Sequence, residues 1–116
     1  MDIRDLSENI LLLEASPEPS LNEELAKTID IVRERGECCD VVIDFTKVDI
    51  VTSSSLSKLL KLRKLLIDFN HILVLCSVAR ATKGIFSVTA LDSVFTMAPD
   101  KTAAIDEINK NQPSMT

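Results

Sequence analysis

The sequence predicts a single α/β domain with a mixed, mainly parallel sheet of four or five strands and with helices packed mostly on one face. Short apolar runs rich in β-branched residues alternate with segments of helical periodicity, which is typical of this class. The 116 residues, 46% of them apolar and 27% charged, have the size and composition of one globular domain. We therefore assign residues 1–116 to one domain, with its core at about residues 10–108 and a polar tail at 109–116.

Two segments of strand character open the chain. Residues 1–6 predict a short edge strand, and the compact apolar run 10–13 predicts a buried strand. Pro17 and Pro19 make residues 15–20 a loop, because proline interrupts both strand pairing and helices.

The first helix carries a start signal and a stop signal. Ser20 followed by Glu23 has the pattern of a capping box, in which each side chain bonds the other residue's backbone N–H. Gly36 after two arginines indicates the end of this helix.

Three consecutive serines open the second helix, directly after the most apolar strand. Residues 41–45 predict a strand buried on both faces, and the helix that follows is expected to run to about Asp68. A helix has one N-cap position, so capping leaves at least one of Ser53, Ser54 and Ser55 for another role. Because the working surface of a parallel sheet lies at the C-terminal ends of its strands, these serines should lie at a functional edge.

The remaining elements complete the alternation. Residues 72–76 predict a buried strand and residues 94–97 a last short one. Gly84 weakens the helix between them by about 1 kcal/mol relative to Ala, and Asp100 can cap a final helix. The predicted inward residues are Leu25, Ile29 and Val32 in the first helix, Leu56, Leu59 and Leu60 in the second, Ala81, Ile85 and Val88 in the third, and Ala104 and Ile108 in the last.

The charge and the apolar pattern argue against two classes of partner. A net charge of −5 disfavours nucleic acid and anionic membranes, which both reward clustered Lys and Arg. No apolar run approaches the roughly 20 residues that a membrane helix needs, and the N-terminus lacks the pattern of a signal peptide. We therefore expect a cytoplasmic protein that neither binds nucleic acid directly nor inserts into a membrane.

The residues that commonly bind metals are too few and badly spaced for a metal site. Cys38 and Cys39 are adjacent, so their side chains point to opposite faces of an extended chain, and Cys76 ends an apolar run as a small core residue. His71, the only histidine, reads as a polar residue at a helix-to-strand turn. We expect neither a metal nor another cofactor.

Candidate catalytic groups are also sparse. The two glycines cannot form a phosphate-binding loop, and no serine lies in a Gly-x-Ser-x-Gly setting. Asp44 and Asp49 flank the end of the central strand, where two carboxylates could form an acid–base pair or a magnesium site. We favour solvated acids at a strand end, and we expect no catalytic residues and no enzyme activity.

Residues 41–60 resemble the central segment of STAS domains, the fold of bacterial anti-sigma factor antagonists. That family has an apolar strand with an Asp, a short turn, and then Asp-Ser-Ser-Gly-Leu opening a helix. Val42-Ile43-Asp44-Phe45 is similar to the strand, and Thr52-Ser53-Ser54-Ser55-Leu56 is similar to the serine motif. Downstream, Thr89-Ala90-Leu91-Asp92-Ser93-Val94-Phe95 is similar to the family's Thr-Gly-Leu-Asp-x-x-Phe. The resemblance covers roughly residues 10–108.

The resemblance implies a non-catalytic regulatory module that is switched by serine phosphorylation. By position the phosphoacceptor is Ser54, with Ser53 and Ser55 as alternatives. The implied partners are an anti-sigma factor that is itself a serine kinase of the histidine-kinase-like ATPase type, and a serine phosphatase. The unphosphorylated antagonist binds the anti-sigma factor and frees the sigma factor, and phosphorylation blocks that binding. The implied partner-binding residues are Asp44, Thr52, Ser53, Ser54, Ser55 and Lys58.

The motif departs from the family pattern at two positions. Thr52 stands in place of the Asp, and Ser55 stands in place of the Gly. A phosphate at a helix N-terminus meets unpaired N–H groups, so we expect the fold to tolerate one. The alternative is a STAS domain that does not switch, serving as a scaffold in a stressosome-like assembly or as an accessory subunit of a lipid-transport complex.

Overall fold

Within the residues that the structure describes, five strands form one sheet, and their order in the sheet follows their order in the chain. The computed structural model describes residues 2–7, 9–35 and 39–111. β1 pairs antiparallel with β2, and the other neighbours pair in parallel, which confirms the predicted mixed, mainly parallel sheet. The strands are β1 (Asp2–Ser7), β2 (Ile10–Glu14), β3 (Asp40–Asp44), β4 (Leu73–Cys76) and β5 (Thr96–Ala98).

In the described part of the chain, three helices cover one face of this sheet and a fourth covers the other. The helices are α1 (Ser20–Arg35), α2 (Ser53–Asp68), α3 (Arg80–Val88) and α4 (Lys101–Asn111). The connections from β2 to β3, from β3 to β4 and from β4 to β5 each move one strand in the same direction across the sheet. Because crossovers between parallel strands are right-handed, their three helices lie on the same face. Residues of α1, α2 and α3 share one core cluster, whereas α4 packs in a second cluster on the opposite face.

Alternating side chains of each strand supply these two clusters. On β2, Leu11 and Leu13 join the cluster of the three helices, while Leu12 joins the cluster of α4. β3 lies in the middle of the sheet with all five residues buried. Coverage of both faces explains why these strands read as continuous apolar runs rather than as alternating ones.

The buried stripe of α2 differs from the predicted one. Its buried residues are Ser55, Leu59, Leu62 and Leu66, and Leu60 is 37% exposed. The buried stripe therefore starts at Ser55, one residue before Leu56, and continues at helical spacing to the end of the helix. Leu60 lies outside this stripe, so the prediction that it points inward was wrong.

The inward face of α3 was also predicted incorrectly. Thr82 and Phe86 are buried, whereas Ala81 and Ile85 are exposed and Val88 is 89% exposed. The ring of Phe86 stacks on Phe95, with the ring centroids 5.6 Å apart. Burial of the large aromatic ring sets the orientation of this short helix, because it removes the most apolar surface from water.

The ends of the helices test the predicted caps. α1 begins at Ser20 itself, so the predicted capping box, with Ser20 as N-cap, is wrong; the nearby Ser16 instead donates from its N–H and its hydroxyl to Glu24 at 2.8 and 2.7 Å. The predicted cap of α4 is confirmed, since Asp100 accepts the N–H of Ala103 at 2.8 Å. Gly36 and residues 112–116 of the predicted tail lie outside the described residues.

Candidate functional site

The three serines lie in the first turn of α2, directly after the loop that leaves the C-terminal end of β3. Thr52 is the N-cap: its backbone is extended, and its Oγ1 accepts the N–H of Ser55 at 3.2 Å. Because a threonine satisfies the capping requirement, all three serines are left for other roles.

The serines differ sharply in exposure. Ser53 and Ser54 are exposed, whereas Ser55 is 0% exposed and belongs to the buried stripe of α2. Among the described residues, the Oγ of Ser55 has no hydrogen-bond partner. Ser55 therefore offers no exposed surface to a partner protein in the folded state, and its hydroxyl is inaccessible to a kinase unless the helix start unfolds.

The hydroxyl of Ser54 is held by two donors. Asn22 of α1 donates from Nδ2 to Ser54 Oγ at 2.6 Å, and Lys58, one turn further along α2, approaches the same oxygen with its Nζ at 3.4 Å. Both interactions use lone pairs of the oxygen, so the hydroxyl proton of Ser54 remains available to point outward. Ser54 is thus exposed and already positioned by its neighbours.

A carboxylate from another loop lies at the start of α2. Glu18, between β2 and α1, accepts the backbone N–H of Thr52 on Oε2 at 2.8 Å, and its Oε1 is buried. Burial by itself raises the pKa of Glu18, but interactions with Ser55, Thr52 and Asn22 more than offset it, so the net pKa is lowered. Ser55 acts here by proximity, since its hydroxyl does not reach hydrogen-bond geometry.

A cleft of about 340 Å³ between α1 and α2 opens beside Ser54. Three cations, Arg33, Lys58 and Lys61, line it together with one carboxylate, Asp30. Within the described residues, none of these four side chains forms an ion pair. The cleft is therefore an electropositive surface on a protein whose net charge is −5. The remaining lining residues are Ala26, Ile29 and Ser57.

Asp44 is not brought together with the serines. Its Oδ1 accepts the N–H of Thr46 at 2.9 Å and also the hydroxyl of Thr46, and its Oδ2 lies 3.7 Å from Lys101 Nζ. The side chain is 9% exposed and lines a separate cleft with Glu14. In this arrangement Asp44 stabilises the end of β3 and offers little surface to a partner.

The cysteines and the histidine have structural environments. Cys39 and Cys76 are buried, and Cys38 lies outside the described residues. Burial, assisted by the carboxylate of Asp44, raises the pKa of Cys76 to about 11. His71 lies between α2 and β4 as predicted, with its Nδ1 3.1 Å from Asp40 Oδ1. Across the described part of the chain, no group of three or more His, Cys, Asp or Glu is placed to bind a metal.

Comparison with known families decides the identity of the fold. Residues 15–104 match the family model of the STAS domain. The chain belongs to the STAS domain family. A search of the curated proteins found no match. None of the described helices of this STAS domain is both long and apolar enough to cross a membrane.

Solved structures share the fold of this STAS domain over nearly its whole length. A candidate anti-sigma factor antagonist from Thermotoga maritima is 14% identical, with a TM-score of 0.79 and coverage of 93% of each chain. A STAS domain protein from Planctomyces limnophilus is 19% identical, with a TM-score of 0.75 and coverage of 94% of this chain and 99% of that chain. Unphosphorylated SpoIIAA is 12% identical, with a TM-score of 0.75 and coverage of 94% and 96%. The phosphorylated form of Bacillus SpoIIAA matches with a TM-score of 0.67 and 14% identity, over 92% and 97%.

Sequence reasoning missed the residues that reach the serines of this STAS domain from other elements. Asn22 and Glu18 are 32 and 34 residues away from their partners, so no local pattern connects them. One signal was available: the loops after β2 and β3 leave the same edge of a parallel sheet, because parallel strands end together. A carboxylate between two prolines in the first loop was therefore a candidate neighbour of the serine motif.

Proposed function

We propose that this STAS domain is a non-catalytic, cytoplasmic anti-sigma factor antagonist that is switched by phosphorylation of Ser54. Its partners are a serine kinase that acts as the anti-sigma factor and a phosphatase that restores the hydroxyl. The observation that carries the proposal is the exposed Ser54 hydroxyl in the first turn of α2, at the second serine of the motif. Existence of SpoIIAA in an unphosphorylated and a phosphorylated form supports it.

The chemistry needs only an accessible hydroxyl on this chain. In the forward step, Ser54 Oγ bonds to the γ-phosphorus of an ATP held by the kinase, ADP leaves, and the hydroxyl proton is released. In the reverse step, water takes the phosphoryl group and regenerates the hydroxyl. A phosphate adds about −1.5 to −2 of charge at neutral pH, which changes the surface that a partner meets.

Two substitutions separate the switch from a passive surface. We expect Ser54→Ala to retain the kinase and Ser54→Asp to lose it, since only Asp places a charge on the docking surface. Both variants should melt within a few degrees of the wild type, because the Ser54 side chain is exposed and substitutions at exposed positions usually change stability little. The measurement is affinity capture from a lysate of the native organism, with the captured proteins identified by mass spectrometry and assayed for phosphorylation of the bait.

Thr102 provides a matched control for this experiment. It is exposed and is the second residue of α4, as Ser54 is the second residue of α2, but it lies on the other side of the sheet. Thr102→Asp should therefore capture the same kinase as the wild type. If Ser54→Ala and Ser54→Asp melt normally and capture the same proteins equally, Ser54 is not the switch and the scaffold alternative holds.

A further inference from the structure

The start of α2 is a poor place for a phosphate on Ser54. Two of its first N–H groups already have acceptors, since Thr52 donates to Glu18 and Ser55 donates to Thr52 Oγ1. The Glu18 carboxylate also carries a negative charge at this end of the helix. This charge already interacts favourably with the positive end of the helix dipole. A phosphate in the same place would meet repulsion from Glu18 and only part of the usual set of free donors.

The cleft between α1 and α2 offers the opposite environment. Lys58 already reaches Ser54 Oγ with its Nζ at 3.4 Å, so a phosphate built on that oxygen starts next to a cation. Lys61 is one turn further along the same wall, and Arg33 of α1 lines the cleft further from Ser54. Within the described residues these cations have no ion-pair partner, so no existing ion pair has to be broken.

We propose that the α1–α2 cleft is the receptor for the phosphate group of phosphorylated Ser54, with Lys58 as its first cation and with Lys61 and Arg33 adding positive charge further along the cleft. The proposal rests on the proposed function in that Ser54 carries the phosphate. The ligand is a phosphomonoester dianion held in cis, and Asn22 can donate a further hydrogen bond to it. Phosphorylation then neutralises the electropositive cleft as well as adding charge at Ser54.

The charged groups around the phosphate can be named element by element. α2 contributes Lys58 and Lys61, and α1 contributes Arg33 and the opposing carboxylate of Asp30. The loop before α1 contributes Glu18, which bonds the start of α2. The cations outnumber the carboxylates, and Lys58 is in contact with the attachment point, so the cleft favours the dianionic form of the phosphate.

The test requires no kinase. Phosphoserine is introduced at position 54 by suppression of an amber codon, and the second ionisation of the phosphate is followed by ³¹P NMR as a function of pH. We expect a pKa lower than that of the same phosphoserine in a synthetic peptide of residues 48–58. Lys58→Met should move it back by about half a pH unit, the size of one partly exposed ion pair, and Lys61→Met should move it in the same direction.

Lys64→Met is the matched control, because Lys64 is an exposed residue of α2 that lies outside the cleft and pairs with Asp68. It removes the same charge and should leave the titration unchanged. The proposal is overturned if the phosphate of the folded protein titrates like that of the peptide, or if Lys64→Met moves the titration as much as Lys58→Met does. Either result leaves the assignment of Ser54 as phosphoacceptor intact, since that assignment concerns where the phosphate is attached.

Discussion

At the residue scale, hydrogen-bond partners distinguish the side chains at the start of α2. Thr52 uses its hydroxyl as the cap, Ser54 uses its oxygen to accept from Asn22 and Lys58, and Ser55 buries a hydroxyl without a partner. A buried hydroxyl without a partner costs stability, whereas a capping oxygen contributes to it. Neighbouring residues of similar chemistry are thus expected to differ in how much stability is lost when their oxygen is removed.

Substitution by alanine tests this difference. Thr52→Ala should lower the free energy of unfolding by about 1 kcal/mol, the typical loss of an N-cap. Ser55→Ala should cost less than Thr52→Ala, because removal of a desolvated hydroxyl and the better helix propensity of Ala offset the lost interaction with Glu18. Urea denaturation of both variants measures the effect, and a loss at Ser55 equal to that at Thr52 would contradict the assignment of the cap.

Glu18 should make stability depend on pH. Its folded-state pKa is lowered, so its contribution is fully present above the unfolded value of about 4.3 and disappears as the pH falls through the folded-state pKa. Glu18→Gln keeps an oxygen that can accept the Thr52 N–H but removes the charge.

The wild type should therefore exceed Glu18→Gln in free energy of unfolding near pH 7, and the two should converge as the pH falls through the lowered folded-state pKa of Glu18. Urea denaturation at a series of pH values measures the difference between the two proteins, in which the other titrating groups cancel. A difference that does not change with pH would show that the charge of Glu18 contributes nothing.

At the element scale, α3 shows that the position of the largest ring fixes the orientation of a short helix. Phe86 is fully buried against Phe95, and this turns Ile85 and Val88 towards solvent. Phe86→Ala should lower the free energy of unfolding by about 3 to 5 kcal/mol, as expected for a large core side chain. Val88→Ala should change it by no more than about 0.5 kcal/mol, the usual limit for an exposed position.

Urea denaturation compares the two variants, with Phe86→Leu as a milder substitution in case Phe86→Ala does not fold. Similar losses for Phe86 and Val88 would contradict the orientation of α3 and favour the face expected from the sequence.

The strands and helices could be predicted because their signals are local, whereas the faces of the helices could not. Three consecutive β-branched residues, Val41, Val42 and Ile43, form the centre of β3, which is typical of a buried strand. In α3 the periodicity fits two faces equally well. The predicted face has positions 81, 85 and 88, and the observed face has positions 82 and 86, and both sets have helical spacing. Contact with Phe95 makes the choice, and that contact exists only in the folded chain.

At the scale of the whole molecule, the sequential parallel sheet assembles the site. β2 and β3 are neighbours and end at the same edge, so the loop carrying Glu18 and the first turn of α1 with Asn22 lie beside the start of α2. The position of Ser54 could be predicted from the motif, because motif and helix start coincide in the sequence. Its neighbours could not, because they are set by which strands pair.

The most direct test of the central claim is to locate the phosphate on the protein isolated from its native organism. Trypsin cleavage after Lys47 and Lys58 releases residues 48–58, which contain Thr52, all three serines of the motif and Ser57. Fragment-ion mass spectrometry of this peptide, prepared with phosphatase inhibitors, distinguishes these positions. The account predicts a phosphorylated fraction with the phosphate on Ser54. A phosphate found only on another residue, or none under any growth condition, would contradict it.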